Sequence, residues 1–343
     1  MLALVAVLVS LLGATWLAAS LELTGTGGVD RRRTETSAPR ILQHGYVIGA
    51  AGDIACAQDP NGSDEPDTCQ FDDTADLIKG TGLSEVLLLG DNQYDRGEYQ
   101  NYLDYFDPTW GRALRNISPA LGNHEYPDGP NSTPRGYFRY FGHDARGPDG
   151  LGYYSFDLGR CPDDPCWHMI ALNSELCFAD GGCDAATDPA DPGSGERMYA
   201  WLETDLDANA DHACTLAYWH HPRFSHSTGS GATSTVAPLW DLLYAANADV
   251  VLNGHSHNYQ RWRPQDPSGG RDRGRGIRQF IVGTGGRGHY AIDGDAPPAN
   301  LVVAQADAFG ILRIALKPAG YAWEWVTAAG QPSFEDNGRA KCV

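Results

Sequence analysis

The chain has 343 residues and a mass of 37.0 kDa, long enough to bury a substantial core of its own, so a miniprotein held only by disulfides is excluded. Apolar residues make up 42% and charged residues 20%, with 41 Gly and 21 Pro, which describes a loop-rich globular protein and excludes a disordered or fibrous one. With 44 acidic against 25 basic residues the net charge is −19, which argues against nucleic acid or an anionic membrane surface as partner, since both demand positive fields.

Residues 1–20, MLALVAVLVSLLGATWLAAS, carry no charge and read as a signal peptide or a short membrane anchor. Ala18-Ala19-Ser20 offers a small-residue cleavage site, but Arg31, Arg32 and Arg33 follow the apolar run instead of preceding it, so cleavage and retention both stay open. Either way the remainder is expected to be secreted or extracytoplasmic, touching a membrane only through residues 1–20 if they are uncleaved. Residues 21–44, rich in Gly, Thr, Ser and Arg without an apolar period, read as a linker.

Eight cysteines fit an exported protein with disulfides. The short loops CPDDPC and CFADGGC favour local pairs Cys161–Cys166 and Cys177–Cys183, which leaves Cys56 with Cys69 and Cys214 with Cys342 by elimination. Other connectivities stay open. A zinc site built on these cysteines is the rival reading, but neither loop has the usual C-x2-C spacing.

From Tyr46 onward, β-rich apolar runs alternate with helical patterns. YVIGAAGD (46–53) reads as a buried strand, DDTADLIKG (72–80) as a helix with acidic residues in its first turn, and EVLLLGD (85–91) as a second buried strand. ERMYAWLETDLDAN (196–209) has helical spacing, with Met198, Trp201, Leu202 and Leu206 on one face. CTLAYWH (214–220), VAPLWDLLYAANA (236–248) and DVVLN (249–253) repeat the strand-helix-strand order. The strands IRQFIVGT (277–284), FGILRIAL (309–316) and YAWEWVT (321–327) follow, the last two forming a hairpin that turns at Pro318 and Gly320. No composition break or repeat divides this stretch, so a single α/β domain is expected over 45–330, with 331–343 as a C-terminal tail tethered by a disulfide at Cys342. Asn61, Asn116 and Asn131 begin glycosylation sequons, which matter only in a eukaryotic secretory route.

Five polar clusters fall at predicted strand ends or in the loops just beyond, where α/β sheets place their ligand sites. They are Gly52-Asp53-Ile54-Ala55, Gly90-Asp91-Asn92-Gln93-Tyr94, Gly122-Asn123-His124-Glu125, His220-His221-Pro222 and Gly254-His255-Ser256-His257. Taken singly, each has an ordinary structural explanation: a turn, a self-satisfied loop, a packed histidine. A specified four-residue string such as GNHE arises by chance in roughly one chain of this length in several hundred, and the other clusters multiply that improbability. Two carboxylates, a carboxamide, three imidazoles and a phenol form an oxygen-and-nitrogen set suited to two adjacent divalent or trivalent metals.

The set resembles the calcineurin-like metallophosphoesterase superfamily, and within it the purple acid phosphatase branch, whose pattern runs GDxG, GDxxY, GNHE, VxxH and GHxH. The resemblance spans residues 46 to 316. It implies a four-layer αββα sandwich with a dinuclear metal centre at the strand ends. It further implies that Asp53 binds the first metal, that Asp91 bridges both, and that Tyr94 supplies a phenolate to ferric iron. Asn123, His220 and His255 bind the second metal and His257 returns to the first. His124 is then the non-ligand histidine that contacts the phosphate and protonates the leaving group.

Two positions depart from the pattern. Ala55 stands where the purple branch has Gly and other members have a ligating His, which removes an imidazole and raises the weight on Tyr94; and Ala217 replaces the Val of VxxH. His221 competes with His220 as ligand, although the H-x-P spacing selects His220. Asn123, His124, His221, Arg223 and His226 are candidate substrate contacts, and the GTGG run (283–286), lacking a P-loop lysine, reads as a tight turn beside the site.

The implied activity is a secreted phosphoesterase that hydrolyses small phosphate monoesters by in-line attack of a hydroxide generated at two metal ions, Fe3+ with Fe2+, Zn2+ or Mn2+. A phosphodiesterase or nucleotide hydrolase using the same centre is the first alternative. A non-catalytic binding protein is the second, and it would be expected to lack ligands that are all present here.

Overall fold

A computed structural model describes residues 45–57, 69–79, 81–159, 166–179, 182–184, 186, 188, 190 and 193–343. The export segment, the linker, the sequon at Asn61 and Cys161 lie outside these described residues. The strands are β1 (Tyr46–Ala51), β2 (Glu85–Leu89), β3 (Ile117–Ala120), β4 (Tyr154–Gly159), β5 (Cys166–Ala171) and β6 (Thr215–Tyr218). They continue as β7 (Val250–Asn253), β8 (Tyr259–Trp262), β9 (Arg278–Val282), β10 (Leu301–Gln305), β11 (Gly310–Lys317), β12 (Gly320–Thr327) and β13 (Asn337–Lys341). The α-helices are α1 (Phe71–Ala75), α2 (Tyr99–Asn101), α3 (Arg135–Phe141), α4 (Ser194–Ala208) and α5 (Ala237–Ala245).

The strands form two mixed sheets, ordered β13-β12-β11-β1-β2-β3 and β10-β8-β9-β7-β6-β5-β4. Near-continuous apolar runs, as in β6 and β7, are what strands covered on both faces require. Their period of two divides each run between two cores. Trp167, Met169, Leu216, Tyr218, Val250 and Leu252 point into a core shared with Ile48, Leu87 and Ile314 of the first sheet. The alternate residues Ile170, Ala217, Trp219 and Val251 pack outward against Met198, Leu202 and Leu206 of α4 and Leu239, Trp240 and Leu243 of α5. The expected helical face of α4 is therefore buried, except that Trp201 is only partly covered.

The far face of the first sheet is closed by short pieces. The helix expected over 72–80 is α-helical only over Phe71–Ala75 and continues as i→i−3 turns, Leu77 N to Thr74 O and Ile78 N to Ala75 O. These pieces and Trp110 join the same core as the sheet. The result is the expected mixed α/β sandwich of two sheets with few helices.

The expected boundary at residue 330 is corrected. Asn337–Lys341 adds an edge strand to the first sheet, from Gly320↔Lys341 to Glu324↔Asn337, so the end of the chain is part of the fold rather than a tail. The Cys214–Cys342 disulfide fastens it to the start of β6, and Cys56–Cys69 and Cys177–Cys183 are also formed. Among the described residues no helix is long and apolar enough to cross a membrane. Asn116 and Asn131 are exposed.

β1, β2 and β3 run parallel, as do β5, β6, β7 and β9, so the loops after β1, β2, β3, β6 and β7 open at the carboxyl ends of the two sheets. The five polar clusters occupy these loops.

The seam near the chain end contains a buried carboxylate. Asp249 accepts from Thr215 N at 2.9 Å and Val343 N at 2.7 Å, and burial pushes its pKa from 3.8 to about 6. A raised carboxyl pKa means the folded protein holds the proton more tightly than the unfolded chain, so this group's stability is full below about pH 4 and is lost as pH rises to about 6. Asp249→Asn should therefore gain melting temperature relative to wild type as pH is raised from 4 to 7, read by calorimetry; a pH-independent difference would refute this assignment.

Candidate metal centre

Backbone shape comes first at this site. Asp53, Asp91 and His255 have left-handed backbones, with φ of 59°, 49° and 65°, a conformation that non-glycine residues adopt at a cost of about 1–3 kcal/mol. The cost is met by fixed hydrogen bonds between neighbouring loops. Asp53 N donates to Gly90 O, Ile54 N to Asp91 O, Ala55 N to Asn92 O and Tyr94 N back to Ala55 O, at 2.8–3.1 Å. The motif glycines make room for the side chains. A Cβ on Gly122 would stand 2.2 Å from Asp91 Oδ1, and one on Gly254 would stand 2.7 Å from Asp53 Oδ2.

The polar atoms gather in two sets around one carboxylate oxygen. Tyr94 Oη lies 3.0 Å from Asp53 Oδ1, 3.0 Å from His257 Nε2 and 3.1 Å from Asp91 Oδ2. On the other side, His220 Nε2 lies 3.1 Å from Asn123 Oδ1, 3.2 Å from His255 Nδ1 and 3.1 Å from the same Asp91 Oδ2. All seven sequence-predicted donors are thus brought together.

Their ring nitrogens are oriented from outside. His220 Nδ1 donates to Leu89 O at 2.9 Å and His257 Nδ1 to Gly288 O at 2.8 Å. A carbonyl can only accept, so Nδ1 carries a proton in each ring and Nε2 faces inward, where it offers a lone pair once the ring is neutral, as metal-binding histidines do. His255 faces inward through Nδ1 instead, and its backbone N donates to Asp53 Oδ2 at 2.9 Å.

Electrostatics shows what this set needs. Burial, then the charges of Asp53 and Asp91, raises the Tyr94 phenol well above its ordinary value, so it ionises only against a cation. Burial opposes the charge of Asp91, but His220 and then His124 hold its carboxyl well below the usual range. His220 is raised, because the Asp91 charge overcomes burial, whereas burial and the His220 charge lower His255 to about 4. One proton on His220 thus offsets buried carboxylates, and metal ions would take that proton's place. The donors present fit such ions, with Asp91 Oδ2 common to both sets.

The sequence profile of the calcineurin-like phosphoesterase family matches residues 46–259, more than half of the chain. The chain belongs to that family. Purple acid phosphatases 21 and 22 of Arabidopsis thaliana are each 26% identical to it, over 76% and 66% of this chain. The chain spans about half the length of these curated relatives, 59% and 51% respectively. Among solved structures, a purple acid phosphatase from yellow lupin seeds superposes with a TM-score of 0.64 at 17% identity, covering 86% of this chain and 53% of that one. GAP50, the anchor in the inner membrane complex of Plasmodium, superposes at 0.60 with 12% identity over 87% of this chain and 89% of that one. Likeness at such identities reports the shared fold.

Around this cluster the remaining candidates separate. His124 is a third exposed; its backbone N donates to Asp91 Oδ1 at 2.9 Å, its Nδ1 contacts Asp95 O at 2.6 Å, and its Nε2 stands 3.9 Å from Asp91 Oδ2. His221 is buried at the edge, its ring 4.2 Å from that of His255, with Nδ1 against Ser174 Oγ at 2.9 Å. Arg223 instead donates to Pro267 O and lies over the Phe224 ring, and His226 is buried with its backbone N bonded to Gln260. Gly285 of the GTGG turn donates to Gly52 O at 2.9 Å, beside Asp53 as expected.

Sequence reasoning assigned no role to Glu125. Its carboxylate is buried and accepts from the backbone N of Asp91, Asn92, Gln93 and Gly122 at 2.8–3.2 Å and from Tyr102 Oη at 3.0 Å. Its position three residues after Gly122, from which its carboxylate reaches back to the Gly122 N–H as the glutamate of a capping box does, was the available signal. Glu125→Gln removes acceptor capacity from beneath the Asp91 loop without touching a donor atom. It should weaken metal retention by about 10–100-fold, the usual cost of losing an outer-sphere partner. Dialysis against chelator followed by metal analysis would show this, and wild-type retention would contradict it.

Proposed function

We propose that this chain is a secreted phosphatase with a dinuclear metal centre, and that it hydrolyses small phosphate monoesters. The observation that carries the reading is the place of Asp91 Oδ2, 3.1 Å from the atom at the heart of each donor set. Asp53, Tyr94 and His257 would hold one ion, Asn123, His220 and His255 the other, and Asp91 both. When bound, such a pair supplies charge neutralisation for a phosphoryl group and an activated water. Fe3+ with a divalent ion suits a set that includes a phenol, and the same centre without iron would still support phosphoester hydrolysis. Disulfides, and the uncharged run of residues 1–20, support an extracytoplasmic location.

The chain's own groups do the rest. Asn123, His124 and His255 are the partly exposed members, so a phosphate would approach across them. With Nδ1 engaged by Asp95 O, His124 has Nε2 free to face the leaving oxygen, and as imidazolium it would donate a proton there. His221, set against His255, would contact a phosphate oxygen through Nε2. A diesterase or nucleotide hydrolase differs only in the leaving-group surface, and every donor position is filled, which disfavours a non-catalytic role.

Asp91→Ala should remove bound metal and turnover of p-nitrophenyl phosphate together. His124→Ala should keep the metal and lose about 10²–10⁴-fold in rate. A faster reaction on bis(p-nitrophenyl) phosphate than on the monoester would replace the monoesterase reading with the diesterase one, and an unchanged rate in His124→Ala would remove its role as acid.

Phenolate bound to ferric iron absorbs visible light by charge transfer. The metal-loaded protein should accordingly be coloured, and Tyr94→Phe should abolish the band while leaving metal content within a small factor. An active, colourless protein holding only zinc or manganese would exclude the ferric assignment.

A further inference from the structure

Among the described residues, three groups of His, Cys, Asp or Glu bring one donor atom each within 4.8 Å of one another. Asp53, Asp91 and His220 belong to the centre above. Cys214, Asp249 and Cys342 offer no thiolate, because the two sulfurs are joined. The third group is Asp157, His168 and His212, on β4, β5 and the turn between α4 and β6. Asp157 and His168 are direct cross-strand partners, so their side chains leave the sheet on one face.

Both separations from the carboxylate to a ring nitrogen are close to those a metal imposes on its ligands, and all three atoms lie within 4.8 Å of one another. Asp157 Oδ1 lies 3.1 Å from His168 Nδ1 and 3.1 Å from His212 Nε2. A tetrahedral zinc ion with bonds of about 2.0–2.1 Å sets its ligands roughly 3.3 Å apart. The far nitrogen of each ring is engaged elsewhere. His168 Nε2 is 2.8 Å from Asp205 Oδ2, and Asp205 Oδ1 accepts from Ser155 Oγ at 2.6 Å. His212 Nδ1 is 3.1 Å from the carbonyl O of Asn209, which can only accept, so Nδ1 carries the proton and a neutral ring turns a lone pair toward Asp157. His212 Nε2 is buried and makes no hydrogen bond, although Asp157 Oδ1 is close.

We propose that Asp157, His168 and His212 form a binding site for one zinc-class divalent cation, separate from the phosphoesterase centre. Two imidazoles and one carboxylate are a borderline donor set that suits zinc over magnesium or calcium. Protonation of His168 alone would satisfy Asp157 and Asp205 but would leave His212 Nε2 without a partner, whereas a cation satisfies both rings. Asp205 is a positioning residue that holds the His168 ring, the carboxylate–histidine pairing common behind zinc ligands. The Asp157 side chain is 40% exposed, which leaves a fourth position for water, and a cavity of about 100 Å³ lined by His168 and His212 opens beside the pair. An ion here would clip β4 and β5 to the turn that precedes Cys214.

The test uses the full chain, stripped with chelator, equilibrated with Zn2+ alone and assayed for bound metal. His212→Gln should hold about one zinc fewer per chain than wild type, whatever number the phosphoesterase centre retains. Asp205→Asn should keep the site but weaken it about 10–100-fold in competition with a chromophoric chelator. Asp157→Asn, on a partly exposed side chain, carries the comparison if the histidine variant does not fold. Equal zinc in wild type and both ligand variants would overturn the proposal.

Discussion

Burying two carboxylates side by side is the constraint that organises this molecule. Asp53 and Asp91 are withdrawn from water, and the phenol of Tyr94 lies 3.0 and 3.1 Å from their oxygens. Carboxylates in a low dielectric are costly unless a cation meets them. Protonated His220 meets part of this demand in the protein alone, and the inward-facing nitrogens of His255 and His257 add further donors. Such a donor set suits cations, and the proposed function rests on that fit more directly than on any single motif.

The scaffold bears the cost of this arrangement. Three of the four non-glycine residues with left-handed backbone, among those described, are site residues, and they are held by inter-loop hydrogen bonds and by close approaches that glycine alone permits. Glu125 ties four backbone amides to one buried carboxylate and fixes the loop that presents Asp91. Burial, and then the Asp91 charge, raises the Glu125 pKa to about 7, so this brace is itself strained by the charge it supports. Strain concentrated at the strand ends is what a site pre-arranged for a ligand requires, and the two cores beneath supply the stability to hold it.

The acidic surface and the proposed anionic substrate are reconciled by the same pocket. A net charge of −19 repels anions over most of the molecule and favours solubility. Bound cations are the largest local charges in such a site and reverse the field there. Recognition of phosphate would therefore be confined to the rim formed by Asn123, His124 and His255.

Much of this was legible in the chain itself. The strands β1, β2, β6, β7, β9, β11 and β12 and the helices α4 and α5 were legible because their runs are strongly apolar, whereas β3, β4, β5, β8 and β10 were not read; four of the five clusters were legible because rare residue types follow glycines at strand ends. The extra strand at Asn337–Lys341 was not, since an exposed edge strand of polar residues has no apolar period and forms only by pairing with β12. The helix at Phe71–Ala75 fell short of its pattern because tertiary packing, not local spacing, sets where its turns tighten. What the sequence by itself determined was the identity and order of the donors, because a backbone can turn sharply only where small residues allow it. What only the tertiary structure decided was which donors share an atom and which ring nitrogen faces inward, and that Asp157, His168 and His212 meet at all. Those facts depend on sheet pairing between segments far apart in the chain, and no local pattern encodes such distances.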